Sequence, residues 1–283
     1  MFLLRINMVS SIEKDKPENF YLCMENSRLG ENKRKMKKLN FFEHFGRYFS
    51  LLGKVFSKPE KLSIYLKKLA WETETLGINS VGLVIILSIF IGGIITLQLS
   101  YNLVNPFIPT YLVGLGNRDT LILEFSCTIM AMIMAGKIGS NIASELGSMR
   151  VTEQIDSLEI MGVNSACYLI FPKIIAVVFF FPILYVLSVF FGIVGGLIVG
   201  PPLGAVNASD YLSGIQFLFN PHFVYFSMIK SLFFGFLIAT VPAYYGYYVE
   251  GGAFEVGSAS TKAVISTNIL ILIVDLILTQ LLF

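Results

Sequence analysis

The sequence predicts an all-α integral membrane protein, and three observations carry that prediction. Mean hydropathy is +0.71, and 55% of the 283 residues are hydrophobic against only 14% charged, where about 25% charge is usual in a soluble domain. Several apolar runs reach the ~20 residues that a helix needs to cross a bilayer. Fifteen of the 21 Lys and Arg residues lie within the first 68 positions, an asymmetry hidden by the formal net charge of +2. Positively charged flanks stay on the cytoplasmic side, so the N-terminus is expected in the cytoplasm.

Residues 1–35 are polar, charged and without periodicity, and predict a disordered extension. No apolar core with a small-residue cleavage site precedes Glu13, so they do not read as a signal peptide. The run Lys33-Arg-Lys-Met-Lys-Lys38 suits either a solvated tail or anionic headgroups, at about 1 kcal/mol per charge. Cys23, Cys127 and Cys167 form no CxxC pair and define neither a metal site nor a disulfide framework.

Residues 36–75 read as interfacial and elbow helices. Phe41, Phe45, Tyr48, Phe49, Leu52 and Phe56 recur at helical spacing, with Glu43, His44, Arg47 and Lys54 opposite them. Bulky aromatics facing basic residues suit a helix lying in the membrane interface. Ser57-Lys-Pro-Glu60 then has the form of a helix start, with a Ser cap, Pro in the first turn and Glu closing a capping box.

Residues 76–283 predict a five-span domain. The spans are expected at about Leu76 to Val104, at Thr120 to Gly136 (the shortest), within Tyr168 to Gly200, within Phe223 to Tyr248, and from Ala263 to Phe283. Pro182 is a candidate kink in the third. Five crossings from a cytoplasmic N-terminus put the C-terminus outside. The outer loops 105–118 and 201–222 then hold one basic residue, Arg118, in agreement with the charge rule. Gly192, Gly196 and Gly200 share one face of the third span and allow close approach of another helix.

Between the second and third spans lies a polar island, Ala135 to Gly162, with helical periodicity of its own. Ile138, Ile142, Leu146 and Met149 form one apolar stripe, and Val151, Ile155 and Leu158 a second, with Gly147 as the expected break. Lys137 and Arg150 face four acids: Glu145, Glu153, Asp156 and Glu159. Such a pair of helices suits docking into a basic protein groove or resting on the protein's own membrane face.

Three ionisable groups are expected inside the spans: Glu124, Lys230 and Asp275. Each costs roughly 2.5–3.5 kcal/mol at a helix centre, so each needs a partner or a polar cavity. At 1.5 Å per residue Lys230 and Asp275 share a depth of roughly 12 Å from the outer surface, which predicts an ion pair between spans four and five. Glu124 has no equally obvious partner and is a candidate for facing a polar cavity. No G-x-x-x-x-G-K-[ST] occurs, since Gly136-Lys137 is followed by Ile138, and there is neither a G-x-S-x-G elbow nor a cluster of His with carboxylates. An enzyme is not indicated, and nothing points to nucleic acid.

The island also carries a resemblance. Ala135-Gly-Lys-Ile-Gly-Ser-Asn-Ile-Ala-Ser-Glu-Leu-Gly147, then Met149-Arg-Val-Thr-Glu-Gln-Ile-Asp156 and Leu158-Glu-Ile-Met-Gly-Val163, closely resembles the signature of MlaE/YrbE-type permeases. These are membrane subunits of ABC transporters that move phospholipids or related lipids between inner and outer membranes. Further matches are Ile229-Lys-Ser-Leu-Phe-Phe-Gly235, Tyr244-Tyr-Gly246, Ser258-Ala-Ser-Thr-Lys-Ala-Val264 and Asp275-Leu-Ile-Leu-Thr279, and the likeness covers about residues 41–283.

The resemblance implies a homodimer in the inner membrane. Each copy would bind a cytoplasmic ABC ATPase through a coupling loop at about 137–163, where Glu145, Arg150, Glu153, Asp156 and Glu159 become coupling residues. It also implies a periplasmic MCE-domain partner and a lipid cavity lined by the first two spans, near Gln98, Tyr101 and Glu124. No cofactor is expected on this chain, because ATP and Mg would belong to the partner ATPase. Many relatives follow the span-two glutamate with Gly-Pro, whereas Phe125-Ser126 stands here. Two competing readings remain at this point. A stand-alone secondary carrier predicts paired acids or inverted repeats. A membrane anchor that recruits cytoplasmic proteins predicts that Gln98, Tyr101 and Glu124 are dispensable.

Overall fold

The structure is a computed structural model that describes residues 41–57, 62–103, 107 and 109–282. The predicted extension 1–35, the basic run ending at Lys38, Cys23 and positions 58–61 of the elbow start lie outside the described residues. Among the described residues every regular element is a helix, and five helices are long and apolar enough to cross a membrane. The chain divides into a unit ending at Ser50 and a second unit, Leu51–Phe283.

Helix α1, Phe41–Val55, crosses that division. In its first part Phe45 and Phe49 stay exposed with their rings in contact, and Arg47 pairs loosely with Glu43 one turn back at 3.7 Å. The second unit begins with its last turn, where Leu51 and Val55 are buried.

Helix α2, Leu62–Glu72, passes through a wide turn, Thr73–Ile78, into α3, Asn79–Asn102. Elbow and first span are thus one continuous helix, Lys67–Asn102, and the span begins earlier than expected. The second span departs further from expectation. It is the longest of the five rather than the shortest, running Tyr111–Val151 through α4 (Tyr111–Thr120), α5 (Met130–Met134) and α6 (Ser140–Val151). Its joints are π-helical, Leu121–Ile129 and Ala135–Gly139. Helix continues past Gly136 because Ile138, Ile142 and Leu146 are buried against spans four and five, which compensates for the polar residues between them.

The break in the island also falls elsewhere. Gly147 lies inside α6, packed so closely on span five that an added methyl would come within 3.0 Å of Val256. The chain turns instead at Thr152-Glu153, where Glu153 adopts a left-handed backbone (φ 58°), and α7, Gln154–Ile160, follows. Glycine here serves close helix packing, not helix termination.

Asn164 caps α8, Ser165–Val199, by accepting from the Cys167 N–H at 3.2 Å, and this helix continues unbroken through Pro172 and Pro182. Helix α9 (Ala208–Gln216) leads to α10 (Pro221–Tyr247), which starts at an Asn220 cap with Pro in its first turn. Helix α11, Ala253–Leu282, starts ten residues before the expected fifth span. Its early turns lie along α6, and Ser260 donates to the Ser140 carbonyl at 3.2 Å.

Helix α8 packs between α3 and α10. The glycine face predicted on the third span meets the first span of the same chain. A methyl on Gly92 would collide with the Gly192 carbonyl, and one on Gly195 with that of Ile89. The expected outer loops are not plain loops, since α4 and α9 pack together there. Arg118 is 3% exposed and donates to the Ile215 and Phe217 carbonyls at 2.7 and 2.8 Å. Its charge is balanced by Asp119 at 2.8 Å, so it closes this end of the bundle rather than meeting solvent. Asn117 donates to the Tyr211 hydroxyl at 2.6 Å, and burial pushes the Tyr211 phenol up from its ordinary pKa.

Candidate functional site

Two clusters dominate the electrostatics, each a fully buried lysine between two carboxylates. In the first, Lys230 of α10 lies 2.7 Å from Asp275 of α11 and 3.5 Å from Glu124 of span two. The Asp275 contact is close but not aligned as a hydrogen bond. The structure therefore brings Lys230 and Asp275 together, and it corrects the expectation that Glu124 lacks an obvious partner. Glu124 belongs to the long helix Tyr111–Val151, and the 3.5 Å approach of its carboxylate, rather than a count of residues along either helix, puts it level with Lys230.

Exposure differs sharply within this cluster. The Lys230 side chain is 0% exposed, Asp275 14% and Glu124 48%. Phe226 places its ring 5.0 Å from the ammonium, and Thr128, one turn on, donates to Glu124 at 3.4 Å. The cluster is thus sealed behind Lys230 and open at Glu124. Gln98 and Tyr101 lie on the exposed face of α3 that also carries Ile86, Phe90 and Ile94, and Tyr101 is 77% exposed. Among the described residues no ion pair or hydrogen bond joins either to Glu124.

The second cluster was not foreseen. Lys173 of α8 donates to both oxygens of Glu72 at 2.7 and 2.8 Å and to Glu145 at 2.7 Å. The side chains of Lys173 and Glu72 are 1% and 0% exposed, and Glu145 is 25% exposed. A fourth ionisable group therefore sits within the predicted spans. The signal was a lone lysine beside Pro172 in an otherwise apolar run. Its partner Glu72 was hidden because it precedes the expected start of the first span at about Leu76 and lies 101 positions from Lys173.

Most of the island's predicted coupling residues are engaged within the chain. Glu145 is held by Lys173, and Arg150 pairs with Asp156 at 2.5 Å across the turn into α7. Glu159 accepts from Ser165 and from Tyr247, both at 2.9 Å, and these bonds hold its carboxyl below the usual carboxylate range. Glu153 is exposed at the turn itself, and beyond it Ile160 and Met161 project at 87% and 68% exposure. The stripes Ile138–Ile142–Leu146 and Ile155 face inward. The outward surface of this segment is therefore the α7 tip, not the stripes.

Five helices long and apolar enough to cross a membrane, with charge clusters buried between them, make this a multi-pass membrane protein. The permease MlaE family model matches residues 69–281, and the chain belongs to that family. It is 34% identical over 237 residues to a probable ABC transporter permease protein of Rickettsia bellii, covering 83% of this chain and 90% of that protein. A probable ABC transporter permease protein of Synechocystis is 31% identical over 86% of this chain and 92% of its own length. The intermembrane phospholipid transport system permease protein MlaE of Haemophilus influenzae is 28% identical over 87% and 94%.

Proposed function

We propose that this chain is the permease subunit of an ABC transporter that moves phospholipid between inner and outer membranes. Two copies would form the transport unit in the inner membrane, with the N-terminus and the α6–α7 hairpin cytoplasmic and the C-terminus periplasmic. A separate cytoplasmic ATPase would bind the α7 tip, and an MCE-domain protein would receive or deliver lipid on the periplasmic side. Glu124 carries this reading. A half-exposed carboxylate at mid-span, backed by a buried ion pair, is costly against acyl chains and favourable against a polar cavity or a headgroup. The exposed Gln98 and Tyr101 would extend that cavity along span one, between the two copies.

The mechanism follows from continuity of the helices. Motion of the ATPase against the α7 tip would act on α6, and α6 and Glu124 belong to one unbroken helix, Tyr111–Val151. A push at the hairpin therefore reaches the Glu124 cluster without an intervening loop. The carboxylates gathered in pairs around Lys230 and Lys173 meet one expectation of a stand-alone carrier, but a lysine lies between the acids of each pair, and the relatives named for ABC transport favour the permease.

The test is purification in native-like nanodiscs, with mass spectrometry of co-eluting proteins and lipids, for wild type and Glu153→Lys. Glu153 is the suitable probe because Asp156 is paired with Arg150 within the chain. An ATPase and phospholipid with wild type, and loss of the ATPase alone in the variant, support the reading. No ATPase in either sample would overturn it.

A further inference from the structure

We propose that the Lys173–Glu145 bond is a releasable latch, and that Lys173 is a positioning residue for the hairpin through which the transport cycle is driven. The proposal rests on the permease reading above. Its basis is the inequality of the two carboxylates on one buried ammonium. Glu72 is fully buried and holds Lys173 with both oxygens, so this pair has no path to water. Glu145 holds Lys173 with one oxygen and is a quarter exposed.

An ammonium stripped of all partners inside a helix bundle is strongly unfavourable, and such a bond does not open. Lys173 escapes that constraint, because Glu72 keeps it paired when Glu145 leaves and Glu145 regains water as it goes. The joint thus has two accessible arrangements that differ in one bond. In the closed arrangement α6 is fastened to α8 and, through Glu72, to the end of the elbow helix α2. In the open one α6 is free to move while α2 and α8 stay joined. Glu145 lies on α6, within the same helix as Glu124. Two discrete arrangements of an element joined to both sites are what coupling requires.

Removing either carboxylate should therefore have opposite effects. Glu145→Gln leaves the latch open, whereas Glu72→Gln makes Glu145 the last counter-ion of Lys173 and locks it shut. The experiment is hydrogen–deuterium exchange of peptides covering 140–161, on the permease in nanodiscs, first without nucleotide and then with ATP and vanadate on the reconstituted complex. We expect exchange at least threefold faster than wild type in nucleotide-free Glu145→Gln, and no faster than wild type in Glu72→Gln. ATP with vanadate should speed exchange in wild type and leave Glu72→Gln unchanged. Lipid transferred per ATP hydrolysed should fall at least fivefold in both variants. Both variants shifting in the same direction, or neither shifting, would overturn the latch. A wild type that moves no lipid with ATP would instead sink the permease reading, while the nucleotide-free comparison would still decide the latch.

Discussion

The two clusters each set one lysine between two carboxylates, in different surroundings. Lys230 has one carboxylate well within the bundle and one, Glu124, open on its far side. Lys173 has one carboxylate sealed with it and one, Glu145, near the end of the bundle on the island helix. In the first cluster the exposed carboxylate lies in the apolar part of span two, and on the permease reading proposed above it would meet a polar cavity or headgroup. In the second it lies on the polar island helix, where it would meet water. On that reading like charges would serve a binding face in one place and a mechanical joint in the other, according to what the exposed partner can reach.

Neutralising the lysines should break this comparison most severely. Lys173→Met strands Glu72 with no exit to water, and breaking a buried pair this way costs about 3–5 kcal/mol. Lys230→Met should cost less, since Glu124 already has access to a polar surface. Thermal unfolding of both variants in the same nanodiscs checks the order, and equal losses would erase the distinction between the sites.

Charge reversal sharpens the first cluster. Lys230→Asp and Asp275→Lys should each reduce ATP-driven lipid transfer more than tenfold, and the double variant should recover a substantial part of it. A double variant no better than either single change would show that the 2.7 Å contact does not act as a pair.

Glu124→Gln should separate transport from stability. Its side chain is 48% exposed, so loss of its charge should change stability by no more than about 1 kcal/mol, as for exposed ion pairs. Lipid co-purification and transfer should nevertheless fall at least fivefold. A variant with full transport would remove Glu124 from the cavity.

The smallest effect concerns pH at the hairpin. The Ser165 and Tyr247 bonds lower the folded pKa of Glu159, so its contribution is present above the ordinary carboxylate range. It is lost as pH falls from that range through the depressed folded value. The group is largely solvated, so the energy is small after screening. Exchange in the 155–165 peptide should rise as pH falls through that window, after correction for intrinsic exchange rates, and Glu159→Gln should remove the dependence.

Much of this was legible in the chain itself. Five apolar runs specify five spans because hydrocarbon demands continuous helix of a set length. The amphipathic spacing of Phe41 to Phe56 reads directly as a helix, and the approach of Lys230 to Asp275 follows from equal depth alone. What was not legible has a common cause. The polar island read as helices of its own, separate from the second span and broken at Gly147, yet tertiary burial of Ile138, Ile142 and Leu146 makes its first part a continuation of that span. The meeting of Glu124 with Lys230 was not legible either, because it depends on how spans two and four pack and not on a count of residues along each.

The sequence by itself determined membrane residence, the number of spans and the identity of the charged groups that had to be compensated. These follow from hydropathy, length and desolvation cost, which are sums over local residues. Only the tertiary structure decided which charges meet, because Glu72, Glu145 and Lys173 are separated by 28 to 101 positions. It likewise decided that Gly147 packs rather than breaks, and that Gly192 and Gly195 receive span one of the same chain. Pairing across such separations is set by the depth and rotation of whole helices against each other, and no local pattern encodes it.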